Sequence, residues 1–393
     1  MVNDTGLSLE EIQQIEHDYS LPLYAKREIA LVRGEGAYLF DSDGKRYLDA
    51  MSNYGVAVLG HADETFAAAL SDQLLTLTTG HQSFYNDQRA ALLKKITTIA
   101  PEGVQRAFLS NSGAEAIEAA LKFARAATGR PKVVAAKRGY HGRTLGALSA
   151  TADPKYRKSF EPLPIPATHV SFNDLEALAA AVDDETAAII LEPVQGEAGI
   201  YPASAEFLKG AREIATAKGA LLIADEIQSG FRTGVPFVIV AQGVIPDILV
   251  TAKALANGFP IGLTLTTDAV SESMPGGAHG TTFGGNPLAC RAALATLNIL
   301  DDRELYAQAD RIGTAIMSRI EAMAHPKVRQ VRGKGLMIGL ELKERVTPTL
   351  RGLQANGVLA LPASSTALRF LPPMIWQDEQ VDELLAALEV VLG

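Results

Sequence analysis

The sequence predicts an α/β protein with a large domain, built on a mostly parallel sheet flanked by helices, and a smaller α+β domain. Short apolar runs alternate with helical stretches between about residues 61 and 280, which is typical of βαβ units and a parallel sheet. After about residue 290 the pattern changes to longer helical stretches around short strands. A chain of 393 residues also exceeds the usual size of one hydrophobic core. We therefore expect two domains.

The N-terminal segment, residues 1–60, predicts a helix and a hairpin. Residues 7–20 have an amphipathic helical pattern, and the apolar stretches 36–40 and 46–49 flank the turn-forming sequence DSDG. We expect this segment to pack on the small domain. Its first residues carry acids and no long apolar core, which is typical of neither a signal peptide nor a membrane anchor.

The predicted strands of the large domain, residues 61–285, are five apolar runs at 107–109, 133–136, 188–191, 221–224 and 248–250. Runs without polar alternation are expected for strands that are covered on both faces. The small domain, residues 286–393, contains predicted helices at 291–300, 303–324, 346–355 and 378–392 and predicted strands at 336–340 and 368–371. No low-complexity linker separates the two domains in the sequence, so we expect them to be tightly joined.

The composition narrows the possible functions. Hydrophobic residues make up 47% and charged residues 21%, as in an ordinary soluble α/β protein, and the net charge of −9 argues against nucleic acid or an anionic membrane as the main partner. The single cysteine, Cys290, excludes an intramolecular disulfide and lies in an alanine-rich helical pattern that predicts a packed thiol. The seven histidines are scattered, so no metal site is predicted. We expect a cytoplasmic protein.

Two neighbouring strand ends carry the most informative side chains. The run at 221–224 ends at Asp225, and Lys253 follows the run at 248–250. A buried carboxylate and a buried lysine are costly unless a ligand or partner compensates them. Pyridoxal 5′-phosphate (PLP) would use both, the lysine as a Schiff base and the acid to keep the pyridinium nitrogen protonated. A structural ion pair between the two is the alternative, and these residues alone do not decide between them.

Two loops suggest phosphate contacts. Ser112, Gly113 and Ala114 open a long helical stretch, where small residues leave backbone N–H groups accessible to an anion, although the same residues also serve as ordinary helix caps. The loop at 279–287 combines several turn formers with two threonine hydroxyls. It can present hydroxyls to a phosphate or serve only as a crossover between the domains.

Two further loops suggest contacts to a ring and a carboxylate. Tyr140 could stack on a flat ring and Arg143 could clamp a carboxylate, with a solvated surface turn as the alternative. His141 is predicted to be structural rather than a base. The loop at 192–199 contains two acids that are either site residues or ordinary salt-bridge partners. These loops are expected to converge where ligands bind, at the carboxyl edge of the sheet.

Taken together, these residues resemble the class III PLP-dependent aminotransferases, and within them the acetylornithine/acetyllysine subgroup, which includes enzymes acting on lysine attached to an amino-group carrier protein. The resemblance runs from about residue 24 to the end of the chain. The matching motifs are RGEG at 33–36, GH at 60–61, NSGAE at 111–115, HGRT at 141–144, EPVQGE at 192–197, DEIQ at 225–228, AK at 252–253, HGTTFGGNP at 279–287, RGKGL at 332–336 and RFLPP at 369–373. The family implies the PLP-dependent transferase fold of type I.

The resemblance implies a complete cofactor site. Lys253 corresponds to the Schiff-base lysine that also moves the proton, and Asp225 to the partner of the pyridinium nitrogen. Gln228 corresponds to the partner of the ring hydroxyl, Tyr140 to the residue stacked on the ring, and Thr282 to a phosphate ligand from the neighbouring subunit, which implies a homodimer. The implied cofactor-binding residues are Ser112, Gly113, Ala114, Tyr140, Asp225, Glu226, Ile227, Gln228, Lys253 and Thr282.

The resemblance also implies substrate contacts. Arg143 corresponds to the arginine that binds the α-carboxylate, and Thr281 to a substrate contact from the partner chain. Glu197 and Arg369 resemble a pair that closes on itself and opens for the carboxylate of 2-oxoglutarate or glutamate. Tyr54 stands where ornithine δ-aminotransferases have a tyrosine.

The function implied is transfer of the terminal amino group of N-acetylornithine or an N-acylated, carrier-linked lysine to 2-oxoglutarate, giving a semialdehyde and glutamate in arginine or lysine biosynthesis. The expected partners are small amino and 2-oxo acids, a second copy of the chain and an acidic amino-group carrier protein. Ornithine δ-aminotransferase is the alternative, and a semialdehyde aminomutase is a further one. The sequence leaves open the acyl group and the length of the diamine.

Overall fold

The computed structural model describes residues 5–393, so residues 1–4 of the predicted N-terminal segment lie outside the described part. Besides two short 3₁₀ helices, Lys158–Phe160 and Lys253–Ala256, the helices are α1 (Leu9–Tyr19), α2 (Ser52–Gly55), α3 (Glu64–Thr76), α4 (Asp87–Thr97), α5 (Gly113–Thr128), α6 (Leu145–Ala150), α7 (Pro154–Arg157), α8 (Leu175–Ala181), α9 (Ala205–Lys218), α10 (Val238–Ala241), α11 (Asp268–Glu272), α12 (Pro287–Asp302), α13 (Leu305–Ala322), α14 (Thr347–Ala355) and α15 (Asp378–Leu392). The strands are β1 (Leu31–Glu35), β2 (Tyr38–Asp41), β3 (Arg46–Asp49), β4 (Arg106–Ser110), β5 (Lys132–Ala136), β6 (Ala167–Val170), β7 (Thr186–Leu191), β8 (Val194–Gln195), β9 (Tyr201–Pro202), β10 (Leu221–Asp225), β11 (Ile248–Thr251), β12 (Gly262–Thr266), β13 (Val328–Lys334), β14 (Met337–Leu342), β15 (Val358–Leu359), β16 (Leu361–Pro362) and β17 (Ala367–Phe370).

The largest sheet has seven strands in the order β4-β12-β11-β10-β7-β5-β6. All of its strands run parallel except β12, which is antiparallel to both of its neighbours. This arrangement confirms the predicted α/β class with a mostly parallel sheet. All five predicted apolar runs form strands of this sheet.

The central strands are covered on both faces, as their uninterrupted apolar runs predicted. In β7 every residue is buried, with Ile189 and Leu191 in one hydrophobic cluster and Ala188 and Ile190 in another. Helix α5 contributes to the second cluster and α9 to the first. Burial of large side chains on both faces stabilises the sheet and leaves only its edges for polar chemistry.

The sequence analysis missed two strands of this sheet, β6 and β12. In β12 leucines alternate with threonines, a pattern typical of a strand with one wet face, yet all its residues are buried. The Thr264 hydroxyl donates to the Ala116 carbonyl oxygen at 2.9 Å, which satisfies its polar group inside the protein. A tertiary hydrogen bond therefore overrides the local pattern.

The N-terminal hairpin is hydrogen-bonded to the C-terminal part of the chain. Strands β2 and β3 pair as predicted, and β3 continues the sheet by pairing in parallel with β15, giving the order β1-β2-β3-β15. The Leu48 N–H donates to the Gly357 carbonyl oxygen at 2.7 Å. A third sheet, β13-β14-β17-β16, lies in the C-terminal part and packs against α13, which in turn contacts α15.

Helix α12 connects the two parts. It begins earlier than the predicted helix at 291–300, because Asn286 caps it and Pro287 occupies its first turn. The helix packs against α3 and α4 as well as against α13. Its first residue nearly coincides with the predicted limit at 285/286, and the domain limits themselves stay a prediction.

Candidate active site

A cavity of about 370 Å³ lies at the carboxyl edge of the seven-stranded sheet. Its walls come from loops that follow different strands, so residues far apart in the chain meet there. This is the edge at which the sequence predicted that loops converge. The structure brings together in this cavity the predicted residues Ser112, Gly113, Ala114, Tyr140, Arg143, Asp225, Ile227, Gln228 and Lys253.

Asp225 ends strand β10 at the buried end of the cavity, where it is 3% exposed. One of its oxygens accepts a hydrogen bond from His141 Nδ1 at 2.7 Å and the other from the Ile227 N–H at 3.1 Å. Burial lowers the pKa of His141, but the hydrogen bond to Asp225 and the charge of its carboxylate outweigh burial and raise that pKa. His141 thus supports the carboxylate from behind, in agreement with the predicted structural role.

Glu192 is a buried acid that holds two loops through hydrogen bonds to their backbone. It follows β7 and accepts hydrogen bonds from the N–H groups of Tyr140 at 2.9 Å and Gly196 at 3.0 Å. Burial raises the pKa of this carboxyl to about 7, and the nearby Asp225 charge acts in the same direction. The sequence left its role open between a site residue and a salt-bridge partner. The structure places Glu192 in the cavity wall, where its carboxylate hydrogen-bonds the backbone of two loops.

Lys253 follows β11 and lines the cavity. Its φ of 33° lies in the left-handed region, which is uncommon for a residue with a side chain and is found at functional sites. Within residues 5–393 its amine has no hydrogen-bond or ion-pair partner. Burial lowers the pKa of this amine below its usual value, against the attraction of the Glu197 carboxylate. A lowered pKa favours the neutral, nucleophilic form of a lysine.

The start of α5 forms the opposite side of the cavity. Ser112 caps this helix, and its hydroxyl accepts a hydrogen bond from the Glu115 N–H at 3.2 Å. Gly113 lies close to Ile227, since a Cβ at this position would be 3.0 Å from that side chain. The first N–H groups of a helix of this length carry a partial positive charge that suits a phosphate.

These groups fit PLP. An unpartnered amine at Lys253, a buried carboxylate at Asp225 and a helix N-terminus at Ser112 are the three attachments that a pyridine aldehyde with a phosphate requires. Tyr140 lines the same cavity and could cover the face of the ring. Lys253 would hold the aldehyde carbon, Asp225 the ring nitrogen and the helix start the phosphate.

Comparisons with known proteins agree with this geometry. Residues 23–392 match the family described as Aminotransferase class-III. This chain belongs to the class III aminotransferases. It is 46% identical over 382 residues to a "[LysW]-aminoadipate semialdehyde transaminase" of Deinococcus radiodurans, covering 96% of this chain and 89% of that protein. It is 42% identical over 379 residues to an "Acetylornithine aminotransferase" of Archaeoglobus fulgidus, covering 96% and 98% respectively.

Solved structures give the same result. An ornithine aminotransferase from Toxoplasma gondii superposes with a TM-score of 0.94 and 30% identity, over 98% of this chain and 95% of that one. An acetylornithine aminotransferase from Elizabethkingia anophelis superposes with a TM-score of 0.86 and 30% identity, over 98% and 99%. This class III aminotransferase therefore has the PLP-dependent fold of type I, is a transaminase and uses PLP, as the sequence indicated.

Arg369 contacts both Glu197 and the cavity residue Gln228 in this aminotransferase. Arg369 Nη1 donates to Glu197 Oε1 at 2.6 Å and to Gln228 Oε1 at 3.2 Å. Arg369 is fully buried, and its Nε and Nη2 are without a hydrogen-bond partner among the described residues. Burial raises the pKa of Glu197, but the Arg369 charge outweighs burial and lowers that pKa. The predicted pair is therefore closed, with spare donors on the arginine.

The backbone that positions Tyr54 was missed by the sequence analysis. Ser52, Asn53 and Tyr54 have φ values of 37°, 50° and 60°, so α2 is a single left-handed turn. The Tyr54 ring centre lies 5.3 Å from the guanidinium carbon of Arg369. Consecutive left-handed residues are strained and persist only where the surroundings hold them. The Asn and Gly in this turn were the only local signal.

Asp49 holds this left-handed turn. Its Oδ1 accepts hydrogen bonds from the N–H groups of Met51 at 3.0 Å and Ser52 at 2.8 Å, and its Oδ2 lies 2.7 Å from His61 Nε2. Asp49 is fully buried, and its charge favours the protonated form of the buried Arg232, whose pKa burial lowers to about 9. The sequence could not reveal this network, because its members are joined only by the fold.

Besides Tyr54, Glu197 and Arg369, three further predicted site residues do not line the cavity in this chain. The carboxylate of Glu226 is fully buried and accepts hydrogen bonds from the Ser229 hydroxyl and, at 2.8 Å, from the Ile239 N–H. It is directed into the protein, which corrects the expectation that this side chain binds the cofactor. Thr281 and Thr282 lie on the loop between α11 and α12, outside this cavity.

Metal ligands, membrane-spanning helices and the single cysteine were also considered in the sequence, and the described residues show the following for each. Among residues 5–393 there is no cluster of three or more histidine, cysteine, aspartate or glutamate side chains suited to a metal ion. None of the described helices is long and apolar enough to cross a membrane. Cys290 is fully buried in α12, and burial raises the pKa of its thiol to about 12, so it is the packed thiol that the sequence predicted.

Proposed function

We propose that this aminotransferase moves the terminal amino group of an N-acylated ornithine or lysine to 2-oxoglutarate, giving an acyl semialdehyde and glutamate in arginine or lysine biosynthesis. The donor is N-acetylornithine or a lysine linked to an amino-group carrier protein. The names of the relatives, which include both LysW-linked and acetylornithine enzymes, support this donor class. The observation that carries the proposal is the free guanidinium of Arg143 at the cavity mouth.

Arg143 is exposed at the mouth of the cavity and has no carboxylate partner within residues 5–393. Its Nε donates to the Tyr140 hydroxyl at 3.3 Å, and its guanidinium carbon lies 4.7 Å from the centre of the Tyr156 ring. These contacts orient the guanidinium and leave other N–H groups for a carboxylate. A donor that binds its α-carboxylate here would extend its terminal amine toward Lys253.

The residues around the cofactor position divide the chemistry among them. Bound PLP supplies an electron sink for the negative charge left when the donor carbon loses its proton. Asp225 would keep the ring nitrogen protonated, and His141 holds that carboxylate in place. Lys253 would take the proton and return it at the neighbouring carbon, and its lowered pKa provides a neutral amine closer to neutral pH. Tyr140 would restrain the ring.

Arg369 would serve the second half-reaction. In the closed pair Glu197 balances the charge of Arg369. In that state the site suits an amino donor that has no second carboxylate near Arg369. If Glu197 moves away, Arg369 can bind the carboxylate of 2-oxoglutarate or glutamate bidentately. Its unpartnered Nε and Nη2 support this, because a buried guanidinium with free donors suits an anionic ligand.

We include a homodimer in the proposal. Leu75, Phe84, Tyr85 and Phe283 are large apolar side chains that are exposed in the single chain. Apolar surface of this kind on a soluble fold indicates an interface. Thr282 is adjacent to Phe283 and lies outside the cavity of its own chain, so it would reach the phosphate in the partner's site.

The experiment that tests the function is a single half-reaction. The PLP enzyme is mixed without 2-oxoglutarate with N-acetylornithine, carrier-linked lysine or free ornithine, and loss of the cofactor's visible absorbance is followed. We expect an acylated donor to react at least about tenfold faster than ornithine, because only acylation removes the charge of the α-amine next to Arg143. Faster reaction of free ornithine would contradict the proposal.

Ornithine δ-aminotransferase is the second candidate, and the position of Tyr54 favours it. The tyrosine ring lies beside Arg369, where it could contact an unblocked α-amine. If ornithine reacts fastest, Tyr54→Phe should reduce that preference. An aminomutase is distinguished separately, because it would show no net requirement for 2-oxoglutarate.

A further inference from the structure

Arg232 is a fully buried arginine that no step of the proposed reaction uses. It follows Phe231, whose φ of 63° lies in the left-handed region that residues with side chains rarely adopt and that is found at functional sites. Its Nη2 donates to the Pro372 carbonyl oxygen at 2.8 Å, whereas its Nε and Nη1 have no hydrogen-bond partner among the described residues. A buried guanidinium with unused donors destabilises the fold, so its presence indicates a function other than packing.

Arg232 contacts the two segments that carry Tyr54 and Arg369. Gly55, at the end of the left-handed turn, lies against the guanidinium, since a Cβ there would be 2.7 Å from Arg232 Nη1. The hydrogen bond to Pro372 holds the chain shortly after Arg369, where β17 has ended. The Tyr54 ring centre lies 5.3 Å from the Arg369 guanidinium carbon. Arg232 therefore joins the two segments that form the Arg369 end of the site.

Two buried positive charges thus lie at this end of the site. Arg232 and Arg369 are both fully buried and close enough for their charges to repel each other. Glu197 pairs directly with Arg369 at 2.6 Å, and the charge of the fully buried Asp49 attracts Arg232. Asp49 is fixed, because its oxygens are bound to backbone N–H groups of the left-handed turn and to His61. Glu197, whose side chain is 24% exposed, is the acid that can move away.

Movement of Glu197 would change the charge balance around the two arginines. In the closed state two acids balance two guanidinium groups, counted with His61 neutral. In the open state Asp49 alone faces both arginines, and one buried positive charge is left without a partner. A carboxylate of the ligand restores the balance, whereas an uncharged group of the same size leaves a buried charge unpaired, at a cost of several kcal/mol at most. Without Arg232, Asp49 would balance Arg369, and the open site would tolerate an uncharged group.

We propose that Arg232 is a positioning residue that sets the acceptor specificity of the second half-reaction, because its charge excludes uncharged 2-oxo acids from the opened Arg369 site. The inference rests on the proposed function, in which Arg369 binds the distal carboxylate of 2-oxoglutarate. Arg232 is buried and does not line the cavity, so it acts through Arg369. Its charge attracts the Glu197 carboxylate as well as the ligand carboxylate that replaces it. Its effect is therefore discrimination against uncharged acceptors rather than tighter binding of 2-oxoglutarate.

The test compares two amino acceptors of the same shape, 2-oxoglutarate and 5-methyl-2-oxohexanoate, in which an isopropyl group replaces the distal carboxylate. The amino form of the enzyme is mixed with each acceptor, and the return of the cofactor's visible absorbance gives kcat/KM. We expect Arg232→Met to raise kcat/KM for the uncharged acceptor at least about tenfold and to change that for 2-oxoglutarate much less. Arg232→Lys keeps the charge and should keep the wild-type ratio. A purely structural lesion would lower both values, so it does not predict a gain.

The matched control is Arg130→Met. Arg130 also donates to backbone carbonyl oxygens, those of Thr186, Lys218 and Gly219, but it does so where β7 begins, at the opposite edge of the sheet from the cavity. The ratio of the two acceptors should therefore stay at the wild-type value. A shift of the same size in this variant would overturn the assignment to Arg232.

A second variant keeps the proposal testable if Arg232→Met does not fold. Asp49→Asn keeps the size of the side chain and an acceptor oxygen but removes the acid that attracts Arg232. We expect it to lower kcat/KM for the uncharged acceptor further, and an equal or higher value would overturn the inference. An unchanged ratio in a folded Arg232→Met enzyme would overturn it as well. If 2-oxoglutarate is not an acceptor of the wild type, the proposed function itself is wrong.

Discussion

The two ends of the active-site cavity are built differently. At the buried end Asp225 accepts two hydrogen bonds, one from the buried His141 and one from the Ile227 N–H, and these orient its carboxylate without a ligand. At the mouth Arg143 is exposed and has only aromatic neighbours. The group at the buried end, Asp225, is thus already paired in the folded chain, whereas Arg143 at the mouth lacks an anionic partner until a substrate binds. This difference follows burial, because an unpaired charge costs little free energy in water and much more when it is buried.

Replacing the lysine of the buried end should have the largest effect. Lys253→Ala removes the amine that lines the cavity and would take the proton, so we expect kcat to fall by at least about 10⁴-fold in a steady-state assay. The protein should still elute as a dimer in size-exclusion chromatography. Retained turnover would mean that another group carries the proton.

The same variant tests whether the site is shared between subunits. Thr282→Val should weaken PLP binding about tenfold. Mixed dimers of the Lys253→Ala and Thr282→Val chains should contain one site with both residues intact and recover wild-type PLP affinity in that site. No recovery would show that Thr282 acts in its own subunit or not at all.

Loss of the buried carboxylate should be the next largest effect. Asp225→Ala removes the partner of the ring nitrogen, and we expect proton abstraction to slow by about three orders of magnitude in single-turnover absorbance measurements. Asp247→Asn is the matched control, since Asp247 pairs with Arg212 at 2.6 Å at the opposite edge of the sheet. A small loss in Asp225→Ala would mean that another group protonates the ring.

At the mouth the expected effects are smaller and depend on the substrate. Glu197→Gln removes the charge that balances Arg369, so binding of 2-oxoglutarate and glutamate should tighten while the acylated donor reacts about tenfold less efficiently. The two half-reactions, measured separately, should therefore respond in opposite directions. Equal changes in both would contradict a pair that opens and closes.

The smallest effect concerns stability near the buried end. Burial raises the pKa of Glu226 from 4.5 to about 7, so the folded state keeps a proton that the unfolded state loses, and stability falls as the pH rises through this interval. Glu226→Gln has no proton to lose. Relative to wild type it should gain roughly 3 kcal/mol in free energy of unfolding between pH 4.5 and pH 8, measured with urea. Glu213→Gln, exposed on α9, should show no such gain, and a pH-independent difference in Glu226→Gln would refute the assignment.

Local patterns were sufficient for much of the fold. The buried runs of β7, β10 and β11 were recognisable because strands covered on both faces need uninterrupted apolar side chains. Strand β12 was not, because its Thr264 hydroxyl is satisfied inside the protein by a hydrogen bond that only the fold provides. Glu226 was assigned to the cofactor by its place in the DEIQ motif of the family, and a motif does not show that its carboxylate accepts a hydrogen bond from the distant Ile239 N–H.

The sequence by itself determined the α/β class, the family and the residue types that PLP chemistry requires, because strand ends, small residues at a helix start and a lysine after a buried run are properties of neighbouring residues. Only the tertiary structure decided which charges remain free. Glu197 and Arg369, or Asp49 and His61, are paired across the chain, and the same fold leaves Arg143 without a carboxylate partner within residues 5–393. A charge's availability depends on every neighbour in space, since electrostatic energy follows distance rather than position in the chain.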